Sequence, residues 1–151
     1  MAELNNSEKD PLIASFFTIE MGGAIKGVFK SLENIGSENE LTEYKASGPN
    51  GEQVVKYQPG LLKWNAVTLK QGITDDLYFW TWRALVEKGD MKAARKNGTF
   101  TMHNIQGKEA AKWEFYNAWP RSIKGPGGDA SNSEVAIEEL EIVCEGYKRT
   151  L

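Results

Sequence analysis

Between Ala66 and Gln71 the chain alternates, with Val67 and Leu69 set against Thr68 and Lys70, the period of two expected of a strand with one buried face. Gly72 ends that strand. The period then changes. Leu77, Trp80, Ala84 and Leu85 recur at i, i+3, i+7 and i+8, which predicts a short helix laid on something apolar. Thr74 or Asp75 can cap its start through a side-chain oxygen, and the carboxylates of Asp75 and Asp76 suit the positive end of the helix dipole. Gly89 stands where a left-handed C-terminal cap belongs. Upstream, Ile13 to Met21 carries Phe16, Phe17 and Ile19, and Gly22-Gly23 makes a two-residue hairpin turn before a return from Ala24 to Leu32. Glu40 to Ala46 interleaves charged Glu43 and Lys45 with Leu41 and Tyr44. A turn-rich stretch, Ser47 to Glu52, leads on to Val54-Val55-Lys56-Tyr57, predicting a second, longer hairpin.

Downstream, Met91 to Lys96 reads as a basic connector, Thr99 to His103 as a strand introduced by Asn97-Gly98, and Gln106-Gly107 as a turn. Ala111 to Trp119 is an aromatic strand bearing Trp113, Phe115 and Tyr116, expected to end at Pro120, which lacks a ladder donor. Ser122 to Ser133, with Gly125-Pro126-Gly127-Gly128-Asp129, is a loop. Glu134 to Tyr147 fits two periods. Helical spacing joins Val135, Ile137, Leu140 and Val143, whereas strand spacing sets Leu140, Ile142 and Cys144 against Glu139, Glu141, Val143 and Glu145; strand is favoured. Seven or eight strands in series with one principal helix predict a mainly β protein, an antiparallel barrel or sandwich with a flanking helix, rather than a parallel α/β sheet.

At 151 residues and 16.9 kDa the chain holds one domain, read as residues 12–151 behind a polar N-terminal arm of residues 1–11 that offers nothing to bury. A formal net charge of -3 argues against a general nucleic-acid binder. Cys144 is the only cysteine, so an intramolecular disulfide or a cysteine metal cage is excluded, and synthesis in a reducing compartment is expected. No apolar run approaches the roughly 20 residues that span a bilayer, so neither export nor a membrane anchor is expected.

Candidate chemistry is sparse. His103, the one histidine, has no sequence neighbour that would make it a triad member or a zinc ligand. Cys144 lies among Ile142, Val143 and Glu145 as a small buried hydrophobe would. Glu134, Glu138, Glu139, Glu141 and Glu145 lack the Asp/Asn/Gly loop of a calcium site and read as a solvated or interface face. Lys92, Arg95 and Lys96 suit pairing with an acidic partner or a solvated connector. Gly125 to Gly128 lacks the Lys-Ser/Thr of a phosphate loop. Catalytic residues, cofactor and metal are therefore all read as none. A monomeric β-barrel that holds a small ligand among Trp64, Trp113 and Trp119 is the alternative reading, although such tryptophans are more often core.

Taken in order, several blocks resemble the tail tube protein family of contractile-tailed phages and phage-like contractile injection systems: Phe17-Thr-Ile-Glu-Met-Gly-Gly23, Gly27-Val-Phe29, Glu43-Tyr44-Lys45, and Pro59-Gly60 through Val67-Thr-Leu-Lys70 with Gly72. The strongest are Phe79-Trp80-Thr81-Trp82-Arg83, Trp113-Glu-Phe-Tyr-Asn-Ala-Trp-Pro120 and Asn132-Ser-Glu-Val-Ala-Ile-Glu-Glu-Leu-Glu141. The resemblance covers Ile13 to Tyr147. It departs at Leu32-Glu33-Asn34-Ile35, where a Ser-Gly-Leu type of turn is expected, and in the longer polar arm. It implies two antiparallel sheets in a barrel-like body with the helix at its side, hexameric rings, and rings stacked into a rigid conduit inside a contractile sheath. The partners it implies are other copies of the chain, sheath protein, a baseplate initiator and spike, a terminator or cap, and a luminal cargo of effector protein or phage DNA. Assembly would take place in the cytoplasm, with the final location a phage tail or a released particle. The tube protein of bacterial type VI secretion shares the architecture by analogy. Residues proposed to serve assembly are Glu43, Tyr44 and Lys45 in the long hairpin and Trp80, Trp82 and Arg83 in the helix. Arg83→Ala is expected to weaken assembly while leaving the monomer folded.

Overall fold

The structure, a computed structural model, describes residues 12–126 and 136–151. In chain order these form β1 (Phe16–Met21), β2 (Ala24–Phe29), β3 (Ser31–Glu33), β4 (Ser37–Ser47), β5 (Gln53–Trp64), β6 (Val67–Gly72), α1 (Tyr78–Glu87), α2 (Met91–Ala94), β7 (Lys96–His103), β8 (Glu109–Lys124), β9 (Ile137–Val143) and β10 (Gly146–Arg149). The arm of residues 1–11 and Glu134 lie outside the described residues, as does most of the predicted glycine loop.

Eight strands join in one antiparallel sheet of order β2-β1-β7-β8-β9-β6-β3, with β10 on the other side of β8 from β7. β8 organises it. Its 16 residues pair with β7 from Glu109 to Ala118 and with β9 from Trp119 to Lys124. Between the two stretches Asn117 adopts φ 51°, held by its own N–H donating to Asn97 Oδ1 at 2.9 Å and its Nδ2 donating to Glu145 Oε2 at 2.7 Å. There the sheet turns back on itself. Ile19, Met21, Phe29, Phe100 and Phe115 from one half meet Val67, Leu69, Leu140 and Ile142 from the other in a single core. β2 touches β6 and β1 touches β3, but no ladder joins these pairs. The body has two antiparallel layers, as expected, and is not a closed barrel.

Pro120 does not end the aromatic strand. Pro120 lies opposite Ile142, and the ladder continues to Lys124 across a bulge between Pro120 and Ser122. Past Ala118 the opposite side of β8 carries no strand among the described residues, so the missing N–H breaks no second ladder. The return after Gly22-Gly23, whose φ of 63° and 79° suit residues without Cβ, is also divided. At Lys30, whose N–H donates to the Lys70 carbonyl, the chain leaves β1 and continues as β3 against β6.

The helix occupies its expected place but buries a different face. Phe79 and Trp82 are inside at 3% and 1% exposure, with Tyr78 and Leu85 beside them, whereas Leu77 and Trp80 face out at 67% and 45%. Neither Thr74 nor Asp75 caps it. Asp76 Oδ1 accepts from the Tyr78 N–H at 2.9 Å, after Thr74 Oγ1 has accepted from Asp76. The far end follows expectation: Gly89, at φ 83°, donates to Val86, and Asp90 donates to Leu85, the two bonds of a Schellman cap. The basic connector contains a short helix, α2, which starts where Asp90 Oδ1 accepts from the Ala93 N–H. The segment with two periods is a strand. Glu138, Leu140 and Ile142 point inward along β9, while Cys144, expected on that face, lies beyond the end of the strand.

Candidate assembly surface

β4 and β5 pair with each other and with no other described strand, forming a ribbon outside the main sheet. Its loop is tied by Gly48 donating to the Glu52 carbonyl at 2.7 Å and by Asn50 donating to Glu52 Oε2 at 3.0 Å. Near its base the register slips, with Asn39 opposite Leu62 but Leu41 opposite Pro59. Gly60 makes that slip possible, since a Cβ there would sit 2.8 Å from the Glu40 carbonyl oxygen. Toward the tip, pairing sets Leu41-Pro59, Glu43-Tyr57 and Lys45-Val55 on one face. Thr42-Gln58, Tyr44-Lys56 and Ala46-Val54 make up the other. Leu41, Tyr44, Val54, Val55, Tyr57, Leu61 and Leu62 are all large, apolar and exposed.

Glu43, Tyr44 and Lys45 thus sit together on exposed backbone, with Tyr44 turned to the face opposite the two charges. Their apolar companions Leu41, Val55, Leu61 and Leu62 are absent from the residues that the sequence proposes for assembly. The signal that would have found them is the failure of alternation: on a ribbon lying on the body, one face should be polar throughout. The helix residues divide differently. Trp80 is exposed. Trp82 is in the core, its Nε1–H donating to the Ala94 carbonyl at 2.6 Å, so it positions α2 under α1. Arg83 turns onto its own body, Nη1 donating to the Pro120 carbonyl at 3.2 Å, with Glu87 3.8 Å from its Nε.

The residues screened for chemistry have structural duties. His103 Nδ1–H donates to the Gly107 carbonyl at 3.3 Å, its Nε2 lies 3.0 Å from Thr18 Oγ1, and Phe16 stacks on the ring at 4.5 Å. Because a carbonyl only accepts, that bond places the proton on Nδ1. Burial pushes the Cys144 thiol up, away from the thiolate a nucleophile needs, and its Sγ–H donates to the Gly146 carbonyl. Burial likewise raises Tyr147, whose hydroxyl donates to the Asn65 carbonyl at 2.7 Å. Trp64 packs edge-on against Tyr147, and Arg149 covers Trp113, so two of the three candidate pocket tryptophans are engaged by neighbours. A cleft of about 470 Å³ does open beside Asn34, Lys63, Asn65 and the Arg121–Glu141 ion pair, but it is polar and contains no tryptophan. Among the described residues no group of three or more His, Cys, Asp or Glu converges as a metal cage would.

The molecule thus combines an open two-layer β body, a flanking helix and a separate ribbon with exposed apolar side chains. The family described as T4-like virus tail tube protein gp19 matches residues 14–148. The chain belongs to that family. This tail tube protein is a structural tube protein, and its fold recurs across contractile machines. Over 93% of its length it superposes on 91% of a chain from the tube-terminating cap of the anti-feeding prophage, with TM-score 0.72 and 19% identity. It superposes over 99% of its length on 98% of a chain in the sheath-tube complex of an extracellular contractile injection system, PVC, in the extended state, with TM-score 0.68 and 18% identity. Hcp1 from Flavobacterium johnsoniae is similar over 89% of this chain and 94% of its own, with TM-score 0.54 and 11% identity. No curated protein sequence matches.

Proposed function

We propose that this tail tube protein is the repeating subunit of the inner tube of a contractile tail or injection particle, forming hexameric rings that stack into a hollow conduit within a sheath. The observation that carries the reading is the β4–β5 ribbon. Two strands alone are marginal in water, and this pair exposes seven large apolar side chains instead of burying them on its own body. Such a ribbon makes sense as an interface. The main sheet adds a second reason, because β2, β3 and β10 leave backbone edges without a strand partner among the described residues, and ring closure would pair or cover such edges.

The function is then mechanical: the tube is driven through an envelope when the sheath shortens, and cargo passes down its bore. Sheath, baseplate initiator and spike, terminator and cargo are the partners in this scheme, and exposed Trp80 is a candidate contact outside the ribbon. Two features support a non-catalytic role: His103 is committed to holding a turn, and Cys144 is held as a thiol. Negative-stain microscopy beside light scattering over a concentration series tests the reading. Rings or tubes are the expected products. A monodisperse monomer that takes an apolar dye into an internal site would instead favour the ligand-binding barrel.

A further inference from the structure

We infer that Asn50 is a site of covalent modification: its side chain closes on the Gly51 nitrogen, loses ammonia and takes up water, leaving an aspartyl or isoaspartyl residue in the β4–β5 turn, while the fold keeps Asn97 from the same reaction. The chain has two Asn-Gly pairs, Asn50-Gly51 and Asn97-Gly98. In each, a glycine without Cβ leaves its nitrogen open to the asparagine side-chain carbon and gives the backbone freedom to bring the two together. By sequence the two pairs are equivalent. The structure separates them.

Asn50 and Gly51 lie in the exposed turn that joins β4 to β5. The Gly51 N–H donates to the Gly48 carbonyl at 3.1 Å, a single bond at the surface, and the Asn50 backbone N–H donates to Glu52 Oε2 at 3.0 Å. The Asn50 side-chain amide has no hydrogen-bond partner among the described residues, and nothing stands within 4 Å of where a Cβ on Gly51 would be. A succinimide ring has room to form. Asn97 is held at both ends. Its Oδ1 accepts from the Asn117 N–H at 2.9 Å, and Gly98 is paired on both sides, with Met21 of β1 and Phe115 of β8. A Cβ on Gly98 would collide with the Glu20 carbonyl oxygen and the Phe115 ring, so this peptide has no space to swing. Closing Asn97 onto the Gly98 nitrogen requires the sheet to open locally.

The reaction needs water alone as co-reactant. The Gly51 nitrogen gives its proton to solvent base and bonds to Asn50 Cγ; the Cγ–Nδ2 bond breaks and Nδ2 leaves as ammonia. Water then opens the ring. Attack at Cγ yields aspartate, whereas attack at the main-chain carbonyl carbon yields isoaspartate, whose backbone runs through Cγ and is one methylene longer. Either product adds a carboxylate beside Glu52, and the longer backbone also strains the Gly48 N–H to Glu52 carbonyl bond, 2.7 Å, that closes the turn.

Tryptic mapping by mass spectrometry tests this on the full chain, aged at mildly alkaline pH either folded and dispersed or unfolded in urea. Cleavage after lysine releases residues 46–56, in which Asn50 is the one asparagine, and residues 97–108, in which fragmentation tells Asn97 from Asn104. Each conversion adds about 1 Da. In urea both pairs should convert at comparable rates. In the folded protein Asn50 should go on converting, faster at higher pH because the attacking nitrogen must lose its proton, while Asn97 slows by at least tenfold. Folded protein in which Asn97 keeps pace with Asn50, or in which Asn50 slows as far as Asn97, overturns the inference. The effect on the turn has its own readout. Amide hydrogen exchange at Gly48 should speed up in the isoaspartyl fraction and stay at the parent rate in Asn50→Asp; equal rates in the two overturn the strained turn. Neither measurement depends on assembly, so a chain that forms no rings leaves this inference standing.

Discussion

Two tryptophans two residues apart illustrate how far a single side chain can be read. Trp80 and Trp82 are alike in sequence, yet Trp80 is 45% exposed and Trp82 is 1% exposed and hydrogen-bonded to Ala94. Trp82→Ala should therefore cost the monomer about 3–5 kcal/mol in urea unfolding, the range for deleting a large buried aromatic. Trp80→Ala should stay within about 0.5 kcal/mol of the parent. Equal costs would contradict the helix orientation described. The stripe was misassigned because Leu77 and Trp80 are as apolar as Phe79 and Trp82, so periodicity could not say which of two apolar faces was inside. Tyr147 offers a second test. Burial lifts its phenol above the ordinary 10 in the folded protein alone, so the stability it supports is complete below pH 10. Above that pH the unfolded chain gives up this proton while the folded chain retains it, and stability falls. Tyr147→Phe should lower stability by about 1–2 kcal/mol at neutral pH, through the unpaired Asn65 carbonyl, and should flatten the alkaline decline. A parent and variant with parallel pH profiles above 10 would refute that account.

Elements differed in how legible they were, and the reasons are physical. The Gly22-Gly23 turn, the alternation of β6 and the Gly89 cap are local devices whose signal is complete within a few residues, and all three stand where expected. Glu134 to Tyr147 was harder because both periods fit, and only pairing with β6 and β8 decides it. Pro120 misled because the lack of an N–H matters only where a neighbouring strand waits for it, which depends on where β7 begins. The long hairpin proposed for assembly was legible as an element, but the exposed apolar side chains that accompany Glu43, Tyr44 and Lys45 on it were not. Arg83 follows the same logic, since no local pattern reveals that its guanidinium will reach Pro120. Its removal is expected to loosen α1 from β8, costing roughly 1.5–3 kcal/mol for a hydrogen bond from a charged donor. Thermal unfolding of the dispersed Arg83→Ala protein measures this cost, and an unchanged midpoint would return the residue to a purely intermolecular role.

At the scale of the whole molecule, the source of cohesion predicts how the tube responds to its solvent. If subunits were held mainly by surface ion pairs, association would weaken steeply as salt rose, because screening shortens to about 10 Å at 0.1 M and about 3 Å at 1 M. The ribbon argues otherwise: its exposed side chains are dominated by Leu41, Val54, Val55, Tyr57, Leu61 and Leu62, and its charges nearly cancel. Burial of apolar surface is indifferent to moderate sodium chloride, is strengthened by sulfate and weakens on cooling. The midpoint concentration for assembly should accordingly change less than about threefold between 0.05 and 0.5 M sodium chloride, fall on addition of ammonium sulfate and rise between 25 and 4 °C. Light scattering at each condition reads all three. Since a ligand that binds only the folded state raises its stability by mass action, and each subunit is a ligand for the next, the unfolding midpoint should also climb with protein concentration. Tyr57→Glu should abolish that climb without lowering the dilute-limit value, because Tyr57 is 59% exposed and lends nothing to the core. A steep loss of assembly with sodium chloride, or a midpoint independent of concentration where scattering shows tubes, would place the cohesion in charges elsewhere on the body and not in the ribbon.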